Sequence, residues 1–250
     1  DYPIYARKKG SLDAAEEILF NCNEMAKGFT YFNLKGLTIS PDNQWVAFSV
    51  DTVGRRIYTL QIKNLVTGEL ASEKIENVTG TATWANDNQT LFYTRKDAVT
   101  LRADSVYKHQ LGTEANADYL VYFEKDDTFD VSVYKEKSKK YLVIASSSTL
   151  TSEYQILNAD APNEKFKVFQ KRTRGLEYSI SHYGDQFYIL TNKDKATNFK
   201  LMVTPESATQ KDNWTDLIPH REEVLLEDIE IFRDYLVVSE RENGLNTIQI

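Results

Sequence analysis

The segment Leu37-Thr38-Ile39-Ser40-Pro41-Asp42-Asn43-Gln44-Trp45-Val46-Ala47-Phe48-Ser49-Val50 joins two apolar runs through a tight polar turn and is the strongest indication of the fold. A second segment of the same make-up runs from Ala82 to Thr94. The longer apolar run returns around residues 141–146, 187–191 and 235–239, so the unit recurs every 45 to 51 residues. Such a period, with several strands in each repeat, is typical of a β-propeller built from four-stranded blades. We therefore predict an all-β chain of the β-propeller class.

The longer apolar run of each repeat is nearly continuous and does not alternate with polar residues. Val46 to Val50 and Leu142 to Ala145 are examples. A continuous run predicts a strand that is buried on both faces. Neighbouring blades of a propeller cover both faces of each sheet, which is the packing that these runs require.

Two kinds of connection alternate along the chain. Short polar turns join the first and second strands, as at Ser40–Asn43 and Ala85–Asn88, where Pro, Asp and Asn favour a hairpin. Longer, more charged loops join the second and third strands, at 51–56, 95–104, 146–151, 192–198 and 241–244. Because successive connections of an up-and-down sheet alternate ends, we expect these loops to emerge on one face, where binding residues are commonly found.

The repeat predicts one domain over residues 1–250 with about five to six blades, some of them incomplete. The predicted divisions are a partial blade at 2–27, four blades at 34–76, 79–123, 129–170 and 174–226, and a partial blade at 228–250. Residues 13–26 carry conflicting signals, because Asp13 and Glu16 resemble a helix capping box. We favour a strand over 16–20, followed by a short helical turn from Asn23 to Ala26.

Composition limits the partners and the compartment. The net charge is −7, which argues against nucleic acid as a partner because phosphate binding needs a basic face. The single cysteine, Cys22, provides no disulfide framework and fits a reducing, cytoplasmic location. No apolar run approaches the roughly 20 residues that span a bilayer, so no membrane partner is predicted. The chain opens at Asp1 and ends in a strand-like segment, so we expect it to be part of a larger protein.

Motifs that would indicate catalysis are missing from the sequence. The Gly-x-Ser-x-Gly pattern of a nucleophile elbow does not occur, and neither does a glycine-rich phosphate loop. None of the histidines, His109, His182 and His220, has a second His or a Cys at metal-ligand spacing. We therefore predict no catalytic residue, no metal and no cofactor in this chain.

The run of hydroxyl side chains from Ser146 to Ser152 is unusual in composition, because six of its seven residues are Ser or Thr. It is explained by a polar hairpin loop, because Ser and Thr favour turns. Alternatively it forms a hydrogen-bonding rim at the mouth of the disc, which makes Thr149 a candidate gating residue.

Five segments in order resemble one family, the prolyl oligopeptidase family of serine peptidases, and within it the propeller of the oligopeptidase B (protease II) group. They are residues 1–10, 36–42, 50–55, 148–153 and 182–192. The resemblance extends over essentially all 250 residues. It implies a seven-bladed propeller that caps an α/β-hydrolase domain carrying a Ser-Asp-His triad.

The resemblance also implies a function for the whole protein. That protein would cleave short peptides after Lys or Arg, and the propeller would exclude folded proteins by size. No triad residue lies in this chain, so the chain by itself is expected to be inactive. One departure is that Ala103 follows Arg102 where the family often has Leu-Arg-Pro, which puts the rigidity of that loop in question.

Two arginines are candidates for the contact with the hydrolase domain. Arg55 and Arg102 lie on predicted loops of the same face, and the guanidinium fork suits paired bonds to carboxylates. An incomplete propeller would also leave blade edges unpaired, so we expect self-association through them.

Two alternatives to a peptidase cap stay open. The first is a free-standing propeller for protein interaction, similar to TolB or WD40 proteins. The Ser40–Asp42 turn fits TolB-like blades, whereas the Gly-His and Trp-Asp pairs of WD40 blades are missing. The second is a propeller glycosidase, for which the sequence places no carboxylate pair in a central channel.

Overall fold

The computed structural model describes all residues, 1–250, and its regular secondary structure is almost entirely antiparallel strand. The chain divides into two compact units, residues 1–125 and 126–250, which are described separately. No helix is long and apolar enough to cross a membrane.

The first unit contains nine strands and one short helix. They are β1 (Ile4–Lys8), β2 (Glu16–Asn21), α1 (Cys22–Met25), β3 (Asn33–Ile39), β4 (Trp45–Asp51), β5 (Tyr58–Asn64), β6 (Leu70–Trp84), β7 (Thr90–Lys96), β8 (Ala103–Gln110) and β9 (Tyr119–Phe123). The strand and helical turn that we predicted within residues 16–26 are confirmed as β2 and α1. Asn21 caps α1 by accepting from the backbone N–H groups of Asn23 and Glu24, which outweighs the capping signal at Asp13.

The second unit contains eleven strands. They are β10 (Asp130–Lys135), β11 (Tyr141–Ser147), β12 (Ser152–Asn158), β13 (Lys167–Gln170), β14 (Tyr178–Tyr183), β15 (Gln186–Thr191), β16 (Lys200–Pro205), β17 (Thr215–Ile218), β18 (Val224–Ile231), β19 (Leu236–Glu242) and β20 (Leu245–Gln249).

Within each sheet the strands that pair are consecutive along the chain, so the sheets are up-and-down and antiparallel. The five sheets are β1–β2, β3–β9, β10–β13, β14–β17 and β18–β20. The predicted all-β class is therefore confirmed. The β10–β13 and β14–β17 sheets each have four strands.

One predicted blade boundary falls inside a strand. Strand β6 continues from Leu70 to Trp84 and pairs first with β5 and then with β7, so residues 34–76 and 79–123 belong to one seven-stranded sheet. The strand bends where its register shifts, between Val78 and Ala82. Gly80 lies there with φ 95°, which lets the backbone turn without ending the strand.

A close backbone approach holds β3 against β6. A Cβ at Gly36 would lie 2.0 Å from the carbonyl oxygen of Gly80, and a Cβ at Gly80 would lie 2.8 Å from the ring of Tyr58. Both positions therefore need glycine for space as well as for their positive φ.

The continuous apolar runs are buried, as predicted. Val46 and Ala47 are completely covered in β4, and Leu142, Val143 and Ile144 are completely covered in β11. Each unit builds its own clusters on these strands. Around Phe169, Phe187 and Trp214 the core of the second unit is largely aromatic.

The repeated polar turn has the same geometry in both of its copies. Asn43 and Asn88 each adopt φ 61°, and the preceding Asp42 and Asp87 each accept a backbone hydrogen bond at 3.0 Å from the residue two positions on. These are the local bonds that Asp and Asn supply in tight turns, so the predicted hairpins are confirmed.

Candidate functional site

A cavity lies at the end of the second unit where strand-connecting loops converge. Its volume is about 600 Å³, and three loops enclose it. They are the connection 126–129 before β10, the turn 148–151 between β11 and β12, and the connection 172–175 before β14. The lining side chains are those of Asp126, Thr128, Phe129, Ser148, Thr149, Leu150, Thr151, Arg172 and Arg174, with Gly175. We call it the Thr149 cavity.

Thr151 ties two of these loops together. Its hydroxyl oxygen accepts a hydrogen bond from the backbone N–H of Gly175 at 3.1 Å, and its carbonyl accepts from the N–H of Ser148 at 2.9 Å. The side chain is buried. Thr151 in the hydroxyl run therefore has a structural role. The preceding residues of the run, Ser148 to Leu150, line the cavity.

Arg172 forms one wall of the cavity. Its guanidinium lies 3.6 Å from the centre of the Phe129 ring, and one of its nitrogens lies 3.6 Å from a carboxylate oxygen of Glu153. The backbone N–H of Arg172 donates to Glu153 at 2.9 Å. Stacking and pairing together fix this cation in place.

Two exposed side chains form the rim. Thr149 and Leu150 project from the β11–β12 turn, and Leu150 is 62% exposed. Arg174 is exposed on the opposite connection and forms no ion pair. The predicted candidate Thr149 therefore lies on an accessible cavity, and Arg174 is a cation beside it that the sequence alone did not single out.

The other two predicted residues, Arg55 and Arg102, lie in the first unit. Their loops are neighbours, because the Lys96 ammonium donates to the carbonyl of Arg56 at 2.8 Å. Arg55 is exposed. The side chain of Arg102 is only 17% exposed; it donates to the carbonyl of Glu124 at 3.2 Å. The pairing of either arginine with another domain remains a prediction.

Asp51 organises the loop that carries Arg55. It accepts from the backbone N–H groups of Val53 and Gly54 at 2.9 Å and of Arg56 at 2.8 Å. Burial opposes ionisation of this carboxyl, but the N–H donors outweigh burial, and its pKa lies below the ordinary value. The loop therefore has a defined shape around a buried carboxylate.

His182 lies between a hydroxyl and a carboxylate, an arrangement that resembles a catalytic relay. Its Nδ1 is 2.8 Å from Ser138 Oγ, and its Nε2 is 2.5 Å from Glu206 Oε1. Lys140 bonds to the same Glu206 oxygen at 2.5 Å. Burial, the largest influence, lowers the pKa of His182. A neutral imidazole therefore donates to Glu206 through Nε2 and accepts from Ser138.

This arrangement lacks the remaining parts of a hydrolytic site. Acyl transfer needs backbone N–H groups aimed at the developing oxyanion. The N–H of His182 donates to Glu136 at 3.1 Å, that of Lys139 to the Glu136 carbonyl at 2.8 Å, and that of Lys140 to Ser138 at 3.4 Å. These groups are already used, so Ser138, His182 and Glu206 link a turn to two strands.

Glu136 is a buried carboxyl that the sequence did not reveal. It is 6% exposed, and its Oε1 has no hydrogen-bond partner. Burial raises the pKa of Glu136 to about 7. No group of three or more His, Cys, Asp or Glu side chains is arranged to hold a metal ion.

Comparison with known proteins gives a match over the whole chain. The family model described as "Prolyl oligopeptidase, N-terminal beta-propeller domain" matches residues 1–250. The chain is 38% identical to dipeptidyl aminopeptidase BI of Pseudoxanthomonas mexicana and 34% identical to Protease 2 of Moraxella lacunata, in both cases over 100% of this chain.

The solved structure of oligopeptidase B from Leishmania major superposes with a TM-score of 0.90 at 30% identity, over 98% of this chain and 35% of that one. The chain spans 36% of the length of each of the two curated relatives. The predicted β-propeller fold is thereby confirmed.

Proposed function

This chain belongs to the prolyl oligopeptidase family as its N-terminal β-propeller domain, and from that premise we propose that it is the non-catalytic cap of a serine oligopeptidase. The observation that carries the proposal is that the family model matches residues 1–250, whereas the related proteins are nearly three times as long as this chain. A propeller without a nucleophile of its own fits the role of a scaffold beside a catalytic domain.

The proposed substrates are short peptides that the whole protein cleaves after Lys or Arg. The likeness to oligopeptidase B of Leishmania major and to Protease 2 supports this choice. In this proposal a Ser-Asp-His triad lies in an α/β-hydrolase domain outside this chain, and the cap excludes folded proteins by size. A cytoplasmic location, expected from the cysteine content, is part of the same proposal.

The Thr149 cavity is the proposed contact of the cap with the catalytic domain and its substrate. Rigid walls and an accessible rim support this role, because Thr151 and Arg172 are fixed by hydrogen bonds and stacking whereas Thr149 and Leu150 are exposed. An interface of this kind, a defined pocket with polar and apolar groups, suits a domain that must open and close.

A second candidate activity is the release of dipeptides from the amino terminus. It is favoured by the 38% identity to dipeptidyl aminopeptidase BI. The two activities differ in whether the substrate needs a free amino group, and this difference can be measured directly.

The test uses the full-length protein and reporter peptides in matched pairs. Acetyl-blocked peptides with Lys or Arg before the reporter should be cleaved with a kcat/KM at least about 10²-fold above that of an Ala counterpart. A folded protein rich in Lys and Arg should stay intact. A probe that labels active-site serines should label the whole protein outside residues 1–250.

Each alternative gives a different result in the same experiment. If only the unblocked dipeptide reporters are cleaved, the activity is the release of dipeptides and not cleavage after Lys or Arg within blocked peptides. Equal rates with Lys and Ala would contradict the specificity for basic residues. Absence of serine labelling would favour a free-standing interaction propeller.

A further inference from the structure

A second cavity opens beside the Thr149 cavity and shares Arg174 and Gly175 with it. Its volume is about 570 Å³. The connection 173–176 before β14, the loop 192–197 after β15 and residues 211–212 before β17 form its lining. We call it the Arg174 cavity.

Cations predominate in this lining. The lining contains four cationic residues and two acidic ones, namely Arg174, Lys193, Lys195 and Lys211 against Asp194 and Asp212. Asp194 is already paired, with the ammonium groups of Lys193 at 2.9 Å and of Lys200, outside the lining, at 3.0 Å.

Three of these cations have no carboxylate partner. Arg174, Lys195 and Lys211 form no ion pair within the chain. They are gathered at one cavity although the chain carries a net charge of −7. Unpaired cations around a concave surface attract an anion.

The loops that present these cations are held in place. The side chain of Asn192 accepts from the N–H of Glu177 at 2.9 Å and donates to the carbonyl of Gly175 at 3.0 Å, which joins two walls of the cavity. The backbone N–H of Lys211 donates to the buried Gln170 at 2.7 Å and fixes the third wall.

The loop that carries Lys195 has an unusual backbone. Asp194 and Lys195 both have left-handed φ angles, 59° and 63°. The ion pairs of Asp194 offset the strain of this conformation. Lys195 is thereby presented from a fixed turn, so the cavity exists before a ligand arrives.

We propose that the Arg174 cavity binds the free C-terminal carboxylate of the short peptide substrate. This inference rests on the proposed peptidase function and deepens it. The guanidinium of Arg174 matches the geometry of a carboxylate, and Lys195 and Lys211 add positive charge to the same lining. A basic side chain of the same peptide is repelled from the cavity, so the peptide is oriented as well as held.

Recognition of a chain terminus also explains selection for short peptides in physical terms. A short peptide has its carboxylate within reach of any bond being cleaved, whereas a long or folded chain rarely does. The cavity therefore strengthens the binding of short peptides and not that of long or folded chains.

The experiment compares peptide pairs of one sequence, with the carboxylate either free or amidated, as substrates of the full-length protein. The free acid should be cleaved with a kcat/KM about three- to tenfold above that of the amide, the range expected for an accessible charged contact. The advantage should depend on the number of residues after the cleaved bond and should shrink as salt is added.

Variants assign the effect to the cavity. Arg174→Ala should abolish the advantage of the free acid, so that the acid and the amide are cleaved at equal rates, and Arg174→Glu should reverse the preference. Lys165→Ala removes an exposed cation outside the cavity and should change nothing. A thermal unfolding midpoint equal to that of the wild type shows that each variant is folded.

Three results would overturn the inference. Equal wild-type rates for acid and amide would exclude a carboxylate site. An equal loss of both rates in Arg174→Ala would show that the cavity instead holds an acidic group of the catalytic domain. Failure to cleave any peptide would remove the proposed function itself, and is distinguished from the other two by the absence of all turnover.

Discussion

His109 Nδ1 lies 2.7 Å from Asp118 Oδ1, and both side chains are shielded from water. The hydroxyl of Tyr93 donates to the other oxygen of Asp118 at 2.6 Å. Burial raises the pKa of Tyr93 far above its ordinary value, so this hydroxyl keeps its proton. The three groups connect β7, β8 and the segment before β9, and they form a buried structural network.

Replacing Asp118 with Ala should destabilise the chain by about 2–4 kcal/mol, because two buried donors lose their acceptor. Urea unfolding followed by tryptophan fluorescence measures the change. Asp127→Ala is the matched control, since Asp127 is exposed and forms no ion pair. Equal midpoints for the two variants would contradict the assigned role of the network.

Gly36→Ala should cost more than about 3 kcal/mol, because the added Cβ would meet the carbonyl oxygen of Gly80 at 2.0 Å. Gly68 supplies the control. It also has a positive φ, 80°, but nothing lies within 4 Å of its Cβ position. Gly68→Ala should therefore cost only about 1 kcal/mol. Comparable losses in both variants would show that β3 and β6 separate easily.

Glu136 should give stability a specific pH dependence. Its pKa is about 7 in the folded chain against 4.5 for the ordinary side chain, so the folded state holds the proton more tightly. The contribution of this group to the free energy of unfolding is fully present below pH 4.5 and falls as pH rises towards 7, by at most about 3 kcal/mol.

Glu136→Gln isolates that contribution from other groups, His182 among them. The lowered pKa of His182 acts in the opposite direction, since it favours folding as pH rises. The variant should therefore gain stability over the wild type between pH 5 and pH 8, as measured by unfolding at each pH. A difference that does not vary with pH would contradict the raised pKa.

Arg55 and Arg102 should respond differently to replacement by Ala. Arg102 is partly buried and bonded to the Glu124 carbonyl, so its loss should lower the stability of the isolated chain by about 1 kcal/mol. Arg55 is exposed and should have no effect there. If Arg55 contacts the catalytic domain, Arg55→Ala should weaken interdomain stability in the full-length protein. The measurement is the thermal unfolding of each variant, as the isolated chain and as the full-length protein. Equal changes in unfolding temperature for Arg55→Ala and Arg102→Ala in both proteins would contradict the different roles assigned to the two arginines.

Much of the fold could be predicted because its signals are local. The apolar runs of β4 and β11 indicate burial on both faces, and the Asp-Asn turns at 42–43 and 87–88 carry their own hydrogen bonds. The predicted division between residues 76 and 79 falls inside β6, because Gly80 allows the strand to pass from its pairing with β5 to its pairing with β7 without ending.

The candidate site could be predicted only in part. Thr149 was predicted as a gating residue because the hydroxyl run is unusual in composition, and that role stays a prediction. Arg174 was missed because an isolated surface arginine has no distinguishing sequence signal. Its importance comes from Lys195 and Lys211, which lie 21 and 37 residues further along the chain and line the same cavity.

The amino-acid sequence was sufficient to predict the class of fold, the strand repeat, the hairpin turns and the family, because each depends on side-chain patterns within about 50 residues or on their order along the chain. Three other relationships became visible in the folded chain: the pairing of His109 with Asp118, the contact of Gly36 with Gly80 and the cluster of unpaired cations at Arg174. These relationships arise when sheets pack and loops converge, and the burial and distances that define them have no counterpart in the linear chain.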